Sequence, residues 1–203
     1  MNSSKVIVVD LDGTLTLTDT LHESVIALIR AKPFMLFLIP IWLAKGVAYL
    51  KFKVAENSVL DVTTLPYNEP FIDWLKEQKA SGKEIVLCTA ANELIARNVY
   101  KHFDLFDDFI ASDETTNLKS ANKRKELEGK YGKHGYDYAG NSSADLEVWA
   151  GAAHAIVVNA SATVLAKASK VASVSETFPS ENPSLSVWLK AFRVHQWLKN
   201  LLL

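Results

Sequence analysis

The sequence predicts an α/β fold in which a parallel sheet lies between two layers of helices, with a helical insertion following the first strand. Three observations predict it. A β-branched apolar run, Lys5 to Asp10 (KVIVVD), opens the chain. Similar short runs recur along it, each separated from the next by a helix-like segment. Between the first run and the second lies an apolar stretch of about fifty residues, too long for a simple crossover.

The first run reads as a strand buried on both faces, because it carries no alternating polar residues. The insertion follows, from residue 17 to residue 67, interrupted by Pro33 and Pro40. Within it, Pro33 to Leu50 holds a single charge, Lys45. That stretch is short of the roughly 20 apolar residues a spanning helix needs, and a proline breaks it. Two readings stay open here: a broken hairpin touching a membrane, or a cap that packs its apolar face on the main domain. The next helix starts at Asn68, a capping residue, with Pro70 in its first turn, and stops at Gly82. Further strands are expected at Glu84 to Thr89, Asp108 to Ser112, Tyr136 to Gly140 and Ala155 to Asn159. Helices are expected at Asn92 to Phe103, Ser120 to Tyr131 and Ser143 to Ala153. This divides the chain into a core (1–16 and 68–180), a hydrophobic cap (17–67) and a terminal segment (181–203) read as a linker and an amphipathic helix. In that segment Trp188, Phe192 and Trp197 alternate with Lys190, Arg193 and Lys199, as at an interfacial helix or the start of a membrane domain.

Bulk properties fit this reading. With 203 residues, 49% apolar, 22 Lys and Arg against 23 Asp and Glu, the chain suits one folded domain and no nucleic-acid partner. Cys88 is the only cysteine. That excludes an intrachain disulfide and a multi-cysteine zinc site, and suggests a reducing, cytoplasmic setting. No signal peptide is expected from MNSSKVIVVD. The five histidines show no metal-ligand spacing and read as structural or solvated.

The chemistry-bearing residues sit where strands end. Asp10-Leu11-Asp12-Gly13-Thr14 follows the first strand directly, at the edge where open α/β sheets bind ligands. Asp10 and Asp12 are expected on the same side, by strand alternation. Two carboxylates at one site repel unless a cation separates them or one holds a proton, and Mg²⁺ is the usual oxygen-bound partner of phosphate substrates. Asp10 suits a nucleophile toward phosphorus and Asp12 a general acid and base. Gly13 allows a tight turn, and its N–H with that of Leu11 is a candidate phosphate donor. Thr89 ends the second strand, so its hydroxyl and the following N–H of Ala90 are further candidates, although a helix-capping role fits Thr89 equally. Lys123, with Lys119 second, is the candidate cation for the nucleophile and the phosphoryl group. Asn141 and Asp145, in GNSSAD, open a helix after another strand. They complete a candidate magnesium set of Asp10, Asp12, Asp145 and Asn141, in which Asp145 is the better of the last pair.

The motifs DLDGTLT, CTA, NLKSANK and GNSSAD, in that order and all at strand ends, resemble the haloacid dehalogenase superfamily of phosphohydrolases. The resemblance covers about Lys5 to Asn159 and implies a Rossmann-like core with a helical cap. By motif it implies that Asp10 is the nucleophile, Asp12 the acid/base, Thr89 the phosphate-binding hydroxyl, Lys123 the lysine and Asp145 a magnesium ligand. One departure is that the last motif begins with neutral Asn141 where an acid is usual. The tail RVHQWLKNLLL resembles the opening of membrane-embedded UbiA-like polyprenyl transferases. That implies a phosphatase domain fused to a membrane enzyme, working at the inner face of the membrane on a phosphorylated small molecule or a lipid-linked phosphate such as a prenyl-linked sugar phosphate. Phosphotransferase or phosphomutase chemistry, and a weakly active scaffold, remain open alternatives.

Overall fold

A computed structural model describes residues 4–180 of the chain. Its centre is a six-stranded sheet made of β1 (Val6–Val9), β2 (Glu84–Asn92), β3 (Asp108–Ser112), β4 (Asp137–Gly140), β5 (His154–Ala160) and β6 (Ser173–Pro179). The strands run in the order β3-β2-β1-β4-β5-β6, and every pair is parallel. In β1, Val8 faces Val86 of β2 on one side and Tyr138 of β4 on the other. All four β1 residues are buried, which explains the absence of polar alternation in that run.

Alternation along β1 divides the core. Ile7 and Val9 join Phe71, Ile72, Leu75, Ile95 and Val99 on one face, supplied by α4 (Glu69–Ala80) and α5 (Glu93–His102). Val6 and Val8 join Leu127, Tyr138, Trp149 and Ala168 on the other, beneath α6 (Ala121–Tyr131), α7 (Leu146–Trp149) and α8 (Ala162–Val171). Each large apolar side chain fully buried in these layers contributes about 1.5–3 kcal/mol. Trp149 also satisfies its ring N–H, which donates to the Tyr138 carbonyl at 3.0 Å. The capping signals act as expected for α4, where Asn68 accepts from the Phe71 N–H at 3.3 Å and Gly82 follows the helix at φ 90°.

Two parts differ from the sequence reading. The helix expected over residues 143–153 is a 3₁₀ turn, Ser143–Asp145, followed by the single turn of α7. Residues 162–179 form α8 and a sixth strand that had no place in the expected sheet. β6 is an edge strand with most of its side chains in solvent, so its sequence lacks the apolar run that marks the others.

Between β1 and α4 the chain builds α1 (Thr20–Ala31), a 3₁₀ turn (Pro33–Leu38), α2 (Ile39–Ala44) and α3 (Val47–Asn57). Leu28, Trp42 and Val54 form a small core of their own, and α3 leans on β2 and α5. Pro33 and Pro40 sit in first turns, and Gly46, at φ 116°, breaks the chain between α2 and α3. Among the described residues no helix is long and apolar enough to cross a membrane. The terminal segment 181–203 lies outside the described residues.

Candidate active site

The strand order reverses direction between β1 and β4, and at such a switch point loops leave the sheet on opposite sides and open a crevice. A cavity of about 270 Å³ lies there. Asp10, Asp12, Lys51, Ala90, Lys119, Lys123, Asn141, Ser142 and Asp145 are on its wall. Asp10 follows β1 and is tied to β4, its N–H donating to the Ala139 carbonyl at 3.0 Å. Asp12 reaches the same cavity from a turn, not from a strand, so loop geometry and not alternation brings the two carboxylates together.

A buried chain of polar groups links three elements across the floor. The Lys123 ammonium donates to Asp10 Oδ1 at 2.7 Å and to the Tyr138 hydroxyl at 2.9 Å. Tyr138 in turn donates to Asp145 Oδ1 at 2.9 Å. Asp145 Oδ2 accepts from the N–H groups of Asn141 (3.1 Å) and Ser142 (2.9 Å) and from the Ser142 hydroxyl (3.0 Å), forming a capping box that fixes this turn. Lys123 is only 3% exposed, so α6 must deliver it there by packing. Lys119 is on the wall but exposed.

Electrostatics follow from burial. Desolvation pushes the Asp10 carboxyl up to about 7; Lys123 pulls it down, and Asp145 and Asp12 push it further up. Asp12 is also raised, by burial first, against the lowering effect of the Thr20 N–H, which donates to its Oδ1 at 2.7 Å. For Lys123, burial works against the charge, but the neighbouring carboxylates, Asp10 first, more than offset it and hold the ammonium above the ordinary lysine range. Burial pushes the Cys88 thiol up to about 12, leaving it a neutral packing residue.

The remaining expected residues are placed differently. Thr89 is fully buried behind Ala90, and its Oγ1 accepts the Ala91 N–H at 2.9 Å; the helix cap at α5 is Asn92. Leu11 is a core residue whose carbonyl accepts from Thr16 N–H at 3.0 Å. The Gly13 N–H was a candidate phosphate donor, but it turns into its own loop and donates to Thr18 at 3.3 Å. What Gly13 supplies is space: at φ 76°, a Cβ built on it would lie 2.1 Å from Asn141 Nδ2. The loop also receives the Asn159 amide, which donates to the Gly13 carbonyl at 3.1 Å. None of the four described histidines lines the cavity, and His195 lies outside the described residues.

Sequence reasoning missed Tyr138 and Lys51. Tyr138 shares a face of β4 with Gly140, a strand-end position that alternation alone reveals once β4 is placed. Lys51 comes from the insertion: its ammonium donates to the Ala90 carbonyl at 2.6 Å and to Asn117 Oδ1 at 3.3 Å. Burial lowers its pKa, against the pull of Asp12 and Asp19. Nothing in the local pattern around Lys51 distinguishes it from its neighbour Lys53.

The donor set suits magnesium. Carboxylate and amide oxygens of Asp10, Asp12, Asp145 and Asn141 share the cavity wall, with no sulfur or imidazole among them. Among the described residues no three acidic, histidine or cysteine side chains form a ready-made cage.

The model of the haloacid dehalogenase-like hydrolases matches residues 7–150. The chain belongs to this family of hydrolases. A relative 34% identical over 199 residues is the uncharacterized protein y4nM of Sinorhizobium fredii (strain NBRC 101917 / NGR234). The alignment covers 97% of this hydrolase and 38% of the relative, so the chain spans well under half of that protein's length. Solved structures share the fold. A protein of unknown function from Bordetella pertussis Tohama I superposes with TM-score 0.64 at 16% identity, covering 85% of this chain and 99% of its own. A substrate-bound phosphoserine phosphatase complex superposes with TM-score 0.59 at 15% identity, covering 94% and 99%. The six-stranded parallel sheet of this HAD-like hydrolase is therefore the fold its motifs imply.

Proposed function

We propose that this HAD-like hydrolase is a Mg²⁺-dependent phosphomonoesterase that works through an aspartyl phosphate on Asp10. The observation that carries the reading is the buried Asp10–Lys123 pair at 2.7 Å, opening on a cavity shared with Asp12 and Asp145. An Asp10 oxygen attacks phosphorus, forming an Asp10–phosphate bond as the bond to the leaving oxygen breaks. Asp12 donates its proton to that oxygen, for which its raised affinity for a proton suits it. Asp12 then accepts a proton from water, whose oxygen attacks phosphorus, releasing phosphate and the Asp10 carboxylate. Lys123 holds Asp10 in place and offsets negative charge on the phosphoryl oxygens, assisted by the N–H group of Ala90 on the cavity wall. Bound Mg²⁺, held by Asp10, Asp145 and Asn141, would supply further charge neutralisation there.

The substrate class we favour is a lipid-linked phosphate, such as a prenyl-linked sugar phosphate, met by a cap (17–67) over the core. Lys51 and Lys119 add cations to the cavity wall. The fold shared with a substrate-bound phosphoserine phosphatase and with a phospho-aspartyl intermediate analogue of that enzyme supports a phosphorylated substrate and the covalent route. The longer y4nM relative supports a setting within a larger protein; that this is a membrane-bound transferase at the cytoplasmic face rests on the resemblance of RVHQWLKNLLL to UbiA-like transferases. Neutral Asn141 favours a second reading, a weakly active regulatory domain; its signature is magnesium binding without turnover.

The test is phosphate release from generic and prenyl-linked phosphates by the purified protein. Release should require Mg²⁺ and vanish in Asp10→Asn. Activity unchanged in that variant would refute the assignment of the nucleophile.

A further inference from the structure

The insertion exposes an apolar surface that the other described residues leave uncovered. The turn Pro33–Leu38, reading PFMLFL, has no buried residue at all. Phe34 is 83% exposed, Phe37 76% and Ile41, on α2, 56%. Ile26 and Ile29 of α1, which packs on this turn, are exposed as well. Contiguous exposed aromatic and aliphatic side chains on one edge mark a surface that binds something.

Charge identifies the partner. From Ser24 to Ala55 the chain has no acidic residue, while Arg30, Lys32, Lys45, Lys51 and Lys53 are basic. Lys51 turns to the cavity, but Arg30, Lys32 and Lys45 are exposed around the apolar tip. A second copy seated on this face in a twofold dimer would set these cations against each other, since such an interface is self-complementary. The terminal segment is a poor occupant for the same reason: after Glu181 it carries Lys190, Arg193 and Lys199 and no acid. Both segments combine aromatic, aliphatic and basic residues, the composition that suits a bilayer interface with anionic headgroups.

We infer that the tip formed by Phe34, Phe37 and Ile41, ringed by Arg30, Lys32 and Lys45, seats the protein on an anionic lipid bilayer. Phe34 and Phe37 enter the acyl boundary and the three cations meet the headgroups. Because α3 of the same insertion carries Lys51 to the cavity wall, docking brings the mouth of the site toward the plane in which a lipid-linked phosphate would lie. For this purpose the inference rests on the lipid-linked reading of the substrate.

The test is sedimentation of the full chain with vesicles of phosphatidylcholine containing phosphatidylglycerol, and with vesicles of phosphatidylcholine alone. The wild type should bind the anionic vesicles preferentially and lose binding as salt rises. The double substitution F34E/F37E should weaken binding by about tenfold or more, given the loss of two aromatic anchors. K32E/K45E should weaken it on anionic vesicles only. Hydrolysis of a small soluble phosphate should be the same in F34E/F37E as in wild type, which establishes that the variant is folded. Vesicle binding by F34E/F37E equal to wild type would overturn the inference and assign the membrane to the terminal segment. Dimers that F34E/F37E abolishes, with no vesicle binding, would overturn it in favour of a second copy. Asp10→Asn should bind vesicles as the wild type does, so failure of the catalytic reading leaves this result separate.

Discussion

At the scale of single residues, the site depends on one buried cation. Lys123 bridges Asp10 and Tyr138 at 2.7 and 2.9 Å and is only 3% exposed. Replacing it with Met leaves a carboxylate without its neutralising partner in a low-dielectric place, and Asp10 then binds a proton more firmly. Lys123→Met should lower kcat by about 10²–10³-fold, the range for loss of a single electrostatic stabiliser in a closed site. Lys123→Arg should rescue little, because a planar guanidinium does not fit contacts shaped for a point donor. Steady-state kinetics on a generic phosphate, with folding checked by circular dichroism, measures both. By contrast, Lys51→Ala removes a cation from the cavity wall and not from Asp10; it should raise KM more than it lowers kcat.

At the scale of elements, two glycines with similar backbone angles separate the demands of folding from those of the site. Gly13 (φ 76°) and Gly82 (φ 90°) both occupy the left-handed region, and an added Cβ strains each by about 1–2 kcal/mol. Only at Gly13 does that Cβ meet another group, Asn141 Nδ2 at 2.1 Å, while at Gly82 there is nothing within 4 Å. Gly13→Ala should therefore destabilise the protein by roughly 1–3 kcal/mol in denaturant titrations and abolish most Mg²⁺-dependent turnover, and Gly82→Ala should cost about 1 kcal/mol and keep turnover. The same contrast explains what was legible in the sequence. β1, β2, β4 and β5 announce themselves because central strands covered on both faces are largely apolar, β3, an edge strand of half-buried residues, does so by the short apolar centre of DFIAS, and α4 by its cap and its closing glycine. β6 has one neighbour and faces water, so SVSETFP carries no such mark. Asp10, Asp12 and Asp145 were visible as acids at strand ends. Lys123 was legible from the order of the motifs, but its pairing with Asp10, 113 residues away, was not, and neither was the reach of Lys51 to Ala90, 39 residues away. Such contacts are set by the packing of α6 and α3, which no local spacing encodes.

At the scale of the whole molecule, the site works against the stability of the fold that carries it. Burial raises the Asp10 carboxyl from its ordinary value near 3.8 to about 7, and raises Asp12 in the same direction. A carboxyl whose affinity for protons is higher folded than unfolded favours the folded state while it is protonated. Its contribution is complete below the unfolded value, near 4, and is lost as pH rises through the folded value, near 7. Metal-free protein should therefore lose thermal stability between about pH 4 and pH 7, the reverse of the behaviour of a carboxylate stabilised by its partners. A divalent cation bound to ionised Asp10 opposes that loss, because it binds the folded state alone and favours the charged form. Melting curves recorded across that range with chelator, and again with millimolar Mg²⁺, should diverge progressively as pH rises. In Asp10→Asn the metal-free slope should flatten and the response to Mg²⁺ shrink. A metal-free melting temperature that climbs steadily from pH 4 to pH 7 would mean that Asp10 is already ionised and satisfied by Lys123 alone. The repulsion that gives Mg²⁺ its place in the site would then be absent.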